Sequence, residues 1–326
     1  MALPASLLPS LLALLMLGLP TIVGAQVYPS KPVRLILPFP PGGGTDTVGR
    51  AIAQTMTAQA SFGQPIVPDN RPGAGGNLGL ELAARSAPDG YTMVLSSPLI
   101  AISPLLYVKL NYDPEKDLAP VTRVGITRKV LVVHPTVPAR TLKELIHLAR
   151  KNPGKLNVGS GGMGSANHLA SVLIQTRTGV NIVHVPFKGS AAALAALVSG
   201  EVDMVVASIV GVVPLARAGR VRPLAVLSET RGAPFDNLPT SAEAGFPDLT
   251  DDTWYGMFVP ADTPRDIVNR LNQELHKALT NPTVMKRLAS VGVETQTSTP
   301  EELGRFVRSE TARIAKVIKS AGIKPK

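Results

Sequence analysis

Two glycine-rich turns carry the chemistry this chain can offer. The first is Pro40-Pro41-Gly42-Gly43-Gly44-Thr45-Asp46, just after the apolar run Leu35 to Leu37. The second is Gly159-Ser160-Gly161-Gly162-Met163-Gly164-Ser165, in the middle of the chain. Each joins a strand-like segment to a helix-like one. Such a turn aims unpaired backbone N–H groups and the positive end of a helix at one point, which suits an anion. Two cradles on two α/β units predict one ligand clamped between two lobes. Gly43 and Gly44, with Pro41 and Gly42 beside them, are expected to grip one carboxylate together with Ser160, Gly164 and Ser165.

Other residues near these turns have two readings each. Asp46 either caps the helix it opens or faces a ligand donor such as an ammonium or hydroxyl group. His168, three residues after Ser165, either contributes a donor or is structural. Lys188 is either a cation at the cleft or a surface lysine before a helix. Asn77 closes the glycine-rich loop from Asn70, which either lines the cleft or turns the chain into the next helix. Ser97 sits where a strand ends, the place where open α/β sheets bind ligands.

Gly159, Gly161 and Gly164 also spell the G-x-G-x-x-G of dinucleotide sites. That chemistry needs an acidic residue about 20 positions on, at the end of the next strand, to hold a ribose. Here that strand runs out through Val185-Pro186-Phe187-Lys188, with a cation and no acid. No cofactor is therefore expected. The chain holds no G-x-S-x-G elbow, Walker loop or H-E-x-x-H. Its five histidines show no metal-ligand spacing with carboxylates. No catalytic residue and no metal site are expected, and the chain reads as a binding protein, not an enzyme.

The elements that position these turns alternate. Strand-like runs at 33–38, 91–96, 130–134, 156–159, 182–186, 204–207, 223–228 and 254–259 are separated by helical patterns, as in α/β folds. Thr141 with Glu144 is a capping box. Thr263-Pro264 and Thr299-Pro300 each open a helix, and Asn281-Pro282 divides two helices. With 326 residues the chain is long enough for two domains. Extended stretches at 121–133 and 221–229 lack a strong breaker and are read as crossings. They divide the chain into one lobe at about 26–124 plus 229–326 and another at about 125–228. The expected architecture is two Rossmann-like α/β lobes joined by a two-crossing hinge, able to close on a ligand.

Composition narrows the partners. The chain is 44% hydrophobic and 17% charged, which is globular. The net charge is +10, but Lys and Arg are spread along the chain and thicken near the C-terminus. Nucleic-acid binders cluster that charge, and only 4% of residues are aromatic, so no nucleic-acid partner is expected. A diffuse positive field favours anions. Residues 1–25 hold an apolar run, Leu7 to Leu19, with small residues leading to Ala25. They read as a signal peptide cleaved after Ala25. No later segment is long and apolar enough to span a bilayer. An exported chain without cysteine fits a bacterial periplasm, and a monomer is expected.

Blocks along nearly the whole chain resemble a known family. They include PFPPGGGTDTVGRAIAQ, NRPGAGGNLGLELAARSAPDGYT, DPEKDLAPVTRVG, VGSGGMGSANHLAS, VPFKGSAAALAALVSGEVDM, LPTSAEAGFPDL and WYGMFVPADTP. In order and spacing they resemble the periplasmic solute-binding proteins of tripartite tricarboxylate transporters, the Bordetella-uptake-gene type. The resemblance implies a Venus-flytrap fold, that of type II periplasmic binding proteins. It places the ligand carboxylate at the loops after the first strand of each lobe, here Pro41–Asp46 and Ser160–Ser165. It also implies capture of a small carboxylate (a dicarboxylate, tricarboxylate, acidic amino acid or aromatic acid) and delivery to a membrane permease. A sensor subunit for a membrane kinase, or an exported enzyme on the same fold, are the alternatives. Ala207-Ser208 stand where many relatives carry an aromatic and an acid, and 191–196 lack the common proline, so the ligand itself does not transfer.

Overall fold

The computed structural model describes residues 28–320, 322, 323 and 325. The expected signal peptide at 1–25 lies outside the described residues. The first sheet starts at β1 (Val33–Leu37), a five-residue strand buried at all but Arg34. It pairs in parallel with β2 (Ile66–Asn70) and with β3 (Thr92–Ser96). Helix α1 (Gly44–Ala58) follows β1 and buries Val48, Ile52 and Met56, an i, i+4, i+8 stripe, against the sheet. The sheet is completed by β4 (Leu118–Thr127), β10 (Thr253–Pro260) and β11 (Val293–Thr295), in the order β11-β4-β10-β3-β1-β2. Strand β10 runs antiparallel to both β3 and β4.

The second sheet has the order β7-β6-β8-β5-β9. Its strands are β5 (Lys129–Val133), β6 (Asn157–Ser160), β7 (Val183–Pro186), β8 (Met204–Ser208) and β9 (Arg222–Val226). Here β6 is parallel to β7 and β8, and β5 is antiparallel to β8 and β9. The two sheets share one plan: three parallel strands in the order 2-1-3, then an antiparallel strand arriving from the other sheet. That plan produces two glycine turns in equivalent places without any sequence repeat.

The chain passes between the sheets twice. Arg128 separates β4 from β5. On the return, residues 227–252 run along the second sheet, burying Leu249 in its core, before β10 begins. Lys129 and Asp251 stand at these two crossings, and Lys129 Nζ donates to Asp251 Oδ2 at 2.5 Å with both side chains buried.

Helices α2 (Asn77–Ala84), α3 (Leu99–Leu106), α4 (Leu142–Lys151), α5 (Ala166–Thr178), α6 (Ser190–Ser199), α7 (Ile209–Arg217), α8 (Arg265–Leu279), α9 (Pro282–Ser290) and α10 (Pro300–Ser320) cover the sheets. The expected cap forms at Thr141, whose Oγ1 accepts from Glu144 N–H at 3.1 Å, and Asn281 also caps its helix, its Oδ1 accepting from Thr283 N–H at 2.9 Å. Thr299 and Glu302 bond reciprocally, at 3.2 and 2.8 Å. Pro264 stands one residue before α8, with extended backbone, rather than as its first helical residue.

The sequence marks no strand at β2 or β11, and shows β4 only as part of the extended stretch 121–133 expected to cross between lobes. The reasons are local. Pro68 and polar neighbours mark β2 as a half-exposed edge, while Pro120, Arg123 and two register shifts against β10 interrupt the pattern of β4. Only three residues form β11.

Candidate functional site

In sheets of this kind the carboxyl ends of the parallel strands open onto a crevice where the strand order reverses. Both sheets direct those ends to a common cavity of about 60 Å³. Strand β1 leads into Phe39, Pro40, Gly43, Gly44 and Thr45; β3 into Ser97; β6 into Gly161, Ser165, Ala166 and Asn167; β8 ends at Ala207 and Ser208. The start of β10 adds Thr253 and Tyr255, and the first turn of α6 adds Ser190, Ala191 and Leu194. At roughly 10–15 Å³ per water, this holds about four to six water-sized units. Larger depressions of about 400 and 550 Å³ lie on the outer surface around α10. They are open grooves rimmed by ion-paired side chains such as Arg308–Glu115 and Arg265–Glu301, and they lie at the opposite end of β4 and β10 from the glycine turns.

The first turn supplies donors. Thr47 N–H, bonded to the Gly43 carbonyl at 3.0 Å, makes the first helical bond of α1. The N–H groups of Gly44 and Thr45 precede it and have no partner among the described residues. Gly44 is required at close quarters: a Cβ there would lie 2.7 Å from Tyr255 Oη and 3.4 Å from Ser208 Oγ. Gly42 has φ of +86°, a conformation that favours glycine.

Asp46 is engaged within the protein. Its Oδ2 accepts from Gly42 N–H at 3.0 Å, and its Oδ1 accepts from Arg50 Nε and Asn70 Nδ2, each at 2.9 Å. These bonds hold the turn in shape from behind, and Asp46 does not line the cavity. Pro41 and Gly42 are exposed and also lie outside the lining.

The second turn spends many of its donors on itself. Gly162 N–H donates to Ser160 Oγ at 3.1 Å, Gly164 N–H to His168 Nδ1 at 3.2 Å and Ser165 N–H to the Gly162 carbonyl at 3.1 Å. Ser165 caps α5 by accepting from His168 N–H at 3.2 Å. The N–H groups of Ala166 and Asn167 remain at the helix end, in the cavity wall. Ser160 is fully buried, with its Oγ 2.6 Å from His184 Nε2, and His184 stacks on His168 at 4.2 Å between ring centroids. Burial holds the His184 pKa below its ordinary value. Ser160, Gly164 and His168 thus build the turn, while Ser165 alone of these lines the cavity.

Of the remaining expected residues, Ser97 reaches the cavity. Asn77 does not: its Nδ2 donates to the Ala74 carbonyl at 3.0 Å and its Oδ1 accepts from Tyr112 Oη at 2.8 Å. Lys188 is exposed outside the lining. Thr253, Tyr255, Asn167 and Ser190 line the cavity without having been singled out, and Ala207 and Ser208, noted as a departure from the family pattern, line it too. Ser208 follows a recognised strand, so the rule that placed Ser97 also reaches it. Thr253 and Tyr255 enter from an antiparallel strand, and nothing local in the sequence marks them.

Thr45, Ser97 and Thr253 are largely buried residues of the wall, and their hydroxyls have no partner among the described residues. Tyr255 is buried beside Ser208, and burial pushes its pKa up to about 12, so it is a neutral hydroxyl. Ser208 Oγ also lies 3.2 Å from Thr127 Oγ1, linking the end of β8 to the end of β4 across the two sheets. At the mouth the lobes touch. A Cβ on Gly189 would be 3.0 Å from Pro40 Cδ, and Tyr107 Oη donates to the Met163 carbonyl at 3.3 Å. The arrangement is a closed cleft of neutral donors.

Known proteins match this chain over most of its length. Protein BugT of Bordetella pertussis is 37% identical over 311 residues, covering 95% of each chain. The structure of Rhodopseudomonas palustris Rpa4515 with adipate matches with a TM-score of 0.89 at 37% identity, covering 92% of this chain and 100% of that one. That of MatC (Rpa3494) from Rhodopseudomonas palustris with bound malate matches with a TM-score of 0.84 at 33% identity, covering 89% and 100%. Residues 48–323, from the first turn of α1 to the end of the chain's last helix and just beyond, match the "Tripartite tricarboxylate transporter family receptor" (TctC) pattern. The fold is that of the two-lobed periplasmic binding proteins, and the chain belongs to the TctC receptor family.

Proposed function

We propose that this protein is exported to the periplasm, captures a small carboxylate between its lobes and delivers it unchanged to the membrane permease of a tripartite tricarboxylate transporter. One observation carries the reading: unpartnered N–H groups of two helix ends and three unpartnered hydroxyls converge on one closed cavity. Each is a donor, and none competes with a negative charge. Adipate and malate in the related structures support an acid as the ligand. The lobes, about 26–124 plus 253–326 and 125–252 once residues 229–252 are assigned to the second sheet on which they pack, are the jaws, and the mature monomer begins after Ala25. Gly43, Gly44, Ser97 and Ser165 belong to the contact set; Pro41, Gly42, Asp46, Asn77, Ser160, Gly164 and His168 keep the turns in shape, and Lys188 adds to the field outside.

A thermal-shift screen of small carboxylates, with sugars and amines as controls, tests this reading. A carboxylate should raise the melting temperature and be recovered unchanged after long incubation. A shift only with non-acids would refute it, and conversion of the acid would replace it with an enzyme.

A further inference from the structure

One cation bonds to the wall of the cleft from behind. Lys129, the first residue of β5, is 2% exposed and does not itself line the cavity. Its Nζ donates to the Ala166 carbonyl at 3.1 Å and to Asp251 Oδ2 at 2.5 Å. The first turn has the opposite backing: there a carboxylate, Asp46, accepts from Gly42 N–H at 3.0 Å. Support by a cation is thus a feature of the second turn.

The carbonyl of Ala166 and the N–H of Asn167 belong to one peptide unit. That unit is planar and trans, so the two groups point in opposite directions. The carbonyl meets Lys129, while the N–H, in the first turn of α5, has no partner among the described residues. The side chain of Asn167 fixes the unit in place: its Nδ2 donates to the Val206 carbonyl at 2.5 Å, and its Oδ1 accepts from Ser190 Oγ at 2.9 Å. A cation on a peptide oxygen draws electron density from the nitrogen and makes its N–H a stronger donor. In a site shielded from water, hydrogen bonds linked in this way polarise one another. An acid in the cleft completes a chain from Asp251 through Lys129 and the Ala166–Asn167 peptide to the carboxylate, with each donor facing an acceptor. The neighbouring donor, Ala166 N–H, lacks this backing. The carbonyl of its peptide, that of Ser165, accepts from Leu169 N–H at 3.0 Å, an ordinary helix bond.

We infer that Lys129 is a positioning residue for ligand capture: through the Ala166–Asn167 peptide it fixes and strengthens the donor that α5 presents to the acid, without touching the acid itself. This deepens the proposed carboxylate capture and rests on it.

The test removes the charge pair whole. Lys129→Met with Asp251→Leu puts apolar side chains in its place, a change that buried pairs tolerate far better than the loss of one partner. Calorimetry is run on the mature protein with succinate, or with whichever acid of the thermal-shift screen binds tighter. The double variant should keep a melting temperature close to that of the wild type and bind the acid roughly fivefold or more weakly. Equal affinity in the folded double variant overturns the inference and leaves carboxylate capture standing. Amide spectra of the isotope-labelled wild type give a second test that does not depend on how the variant folds. Saturation with the same acid should move the Asn167 amide proton downfield, and further than that of Ala166. An unmoved Asn167 amide, or a larger shift at Ala166, overturns the inference. In the double variant the shift at Asn167 should shrink while that at Thr45 stays; loss of both marks a general disturbance of the cleft and also overturns it. If no acid of the screen binds the wild type, the inference falls together with the reading beneath it.

Discussion

Thr45, Ser97 and Thr253 place hydroxyls in the cleft that the protein itself does not use. Removing such a group costs the fold little, because no protein hydrogen bond is lost. In the ligand complex it leaves an acceptor unmet, at about 1–3 kcal/mol. Ser97→Ala and Thr45→Val are therefore expected to keep the melting temperature within about 2 °C while weakening the acid roughly fivefold or more, measured by calorimetry. Ser160→Ala should behave in the opposite way. Its hydroxyl sits between His184 and the Gly162 backbone, so stability falls and any affinity loss follows from the disturbed turn. The sequence shows that Ser160 and Ser165 flank a glycine turn. It does not show which way each side chain points, and that depends on His184, 24 residues away on the next strand. Asp46 illustrates the same limit: its acidity is legible, but its three donors come from positions 42, 50 and 70.

The crossings hold the charges that the cleft lacks. Lys129 and Asp251 are buried together where the chain leaves and re-enters the first sheet, and the pair is tied through Ala166 to the end of α5. Lys129→Met leaves a buried carboxylate without its partner and should cost about 3–5 kcal/mol in urea unfolding; adding Asp251→Leu should recover much of that loss. Asp252, next along the crossing, accepts from Ser228 Oγ at 2.9 Å through one oxygen, while its other oxygen is buried without a partner. Burial raises its pKa to about 6, with Arg128 and Lys129 opposing and Asp251 adding to the shift. The folded state therefore holds this proton more tightly than the unfolded chain does. Stability should fall as pH rises from about 4 to about 6 and then level off. Asp252→Asn should flatten that slope and stabilise the protein at pH 7 by up to about 3 kcal/mol, read from unfolding curves across the range. The elements around these residues were legible to different degrees. Buried strands such as β1 and β5, and helices with Thr or Asn caps, declare themselves by composition. The edge strand β2 forms because of its neighbours, while β4 shows locally only as the extended stretch from 121, and its place in the sheet comes from its partners.

At the scale of the molecule, the two sheets repeat one plan and turn the carboxyl ends of their parallel strands toward each other. The two glycine turns carried that arrangement in the sequence, since each lies after the central strand of a 2-1-3 set. The closed cleft depends on contacts such as Pro40 with Gly189, which no single segment encodes. A ligand that binds the folded form alone, at about 1,000 times its Kd, adds about 4 kcal/mol and should raise the melting temperature by on the order of 5–10 °C. Gly44→Ala is the sharpest probe of the central claim. Its Cβ would enter the cleft 2.7 Å from the buried Tyr255 hydroxyl, yet Gly44 has a helical position that alanine favours. The deciding measurement is the melting temperature of the wild type and of Gly44→Ala, each with and without the best acid from the screen. The wild type should be raised by several degrees and the variant by at most one. An equal rise in both would contradict the assignment of this cleft as the place where the acid is held.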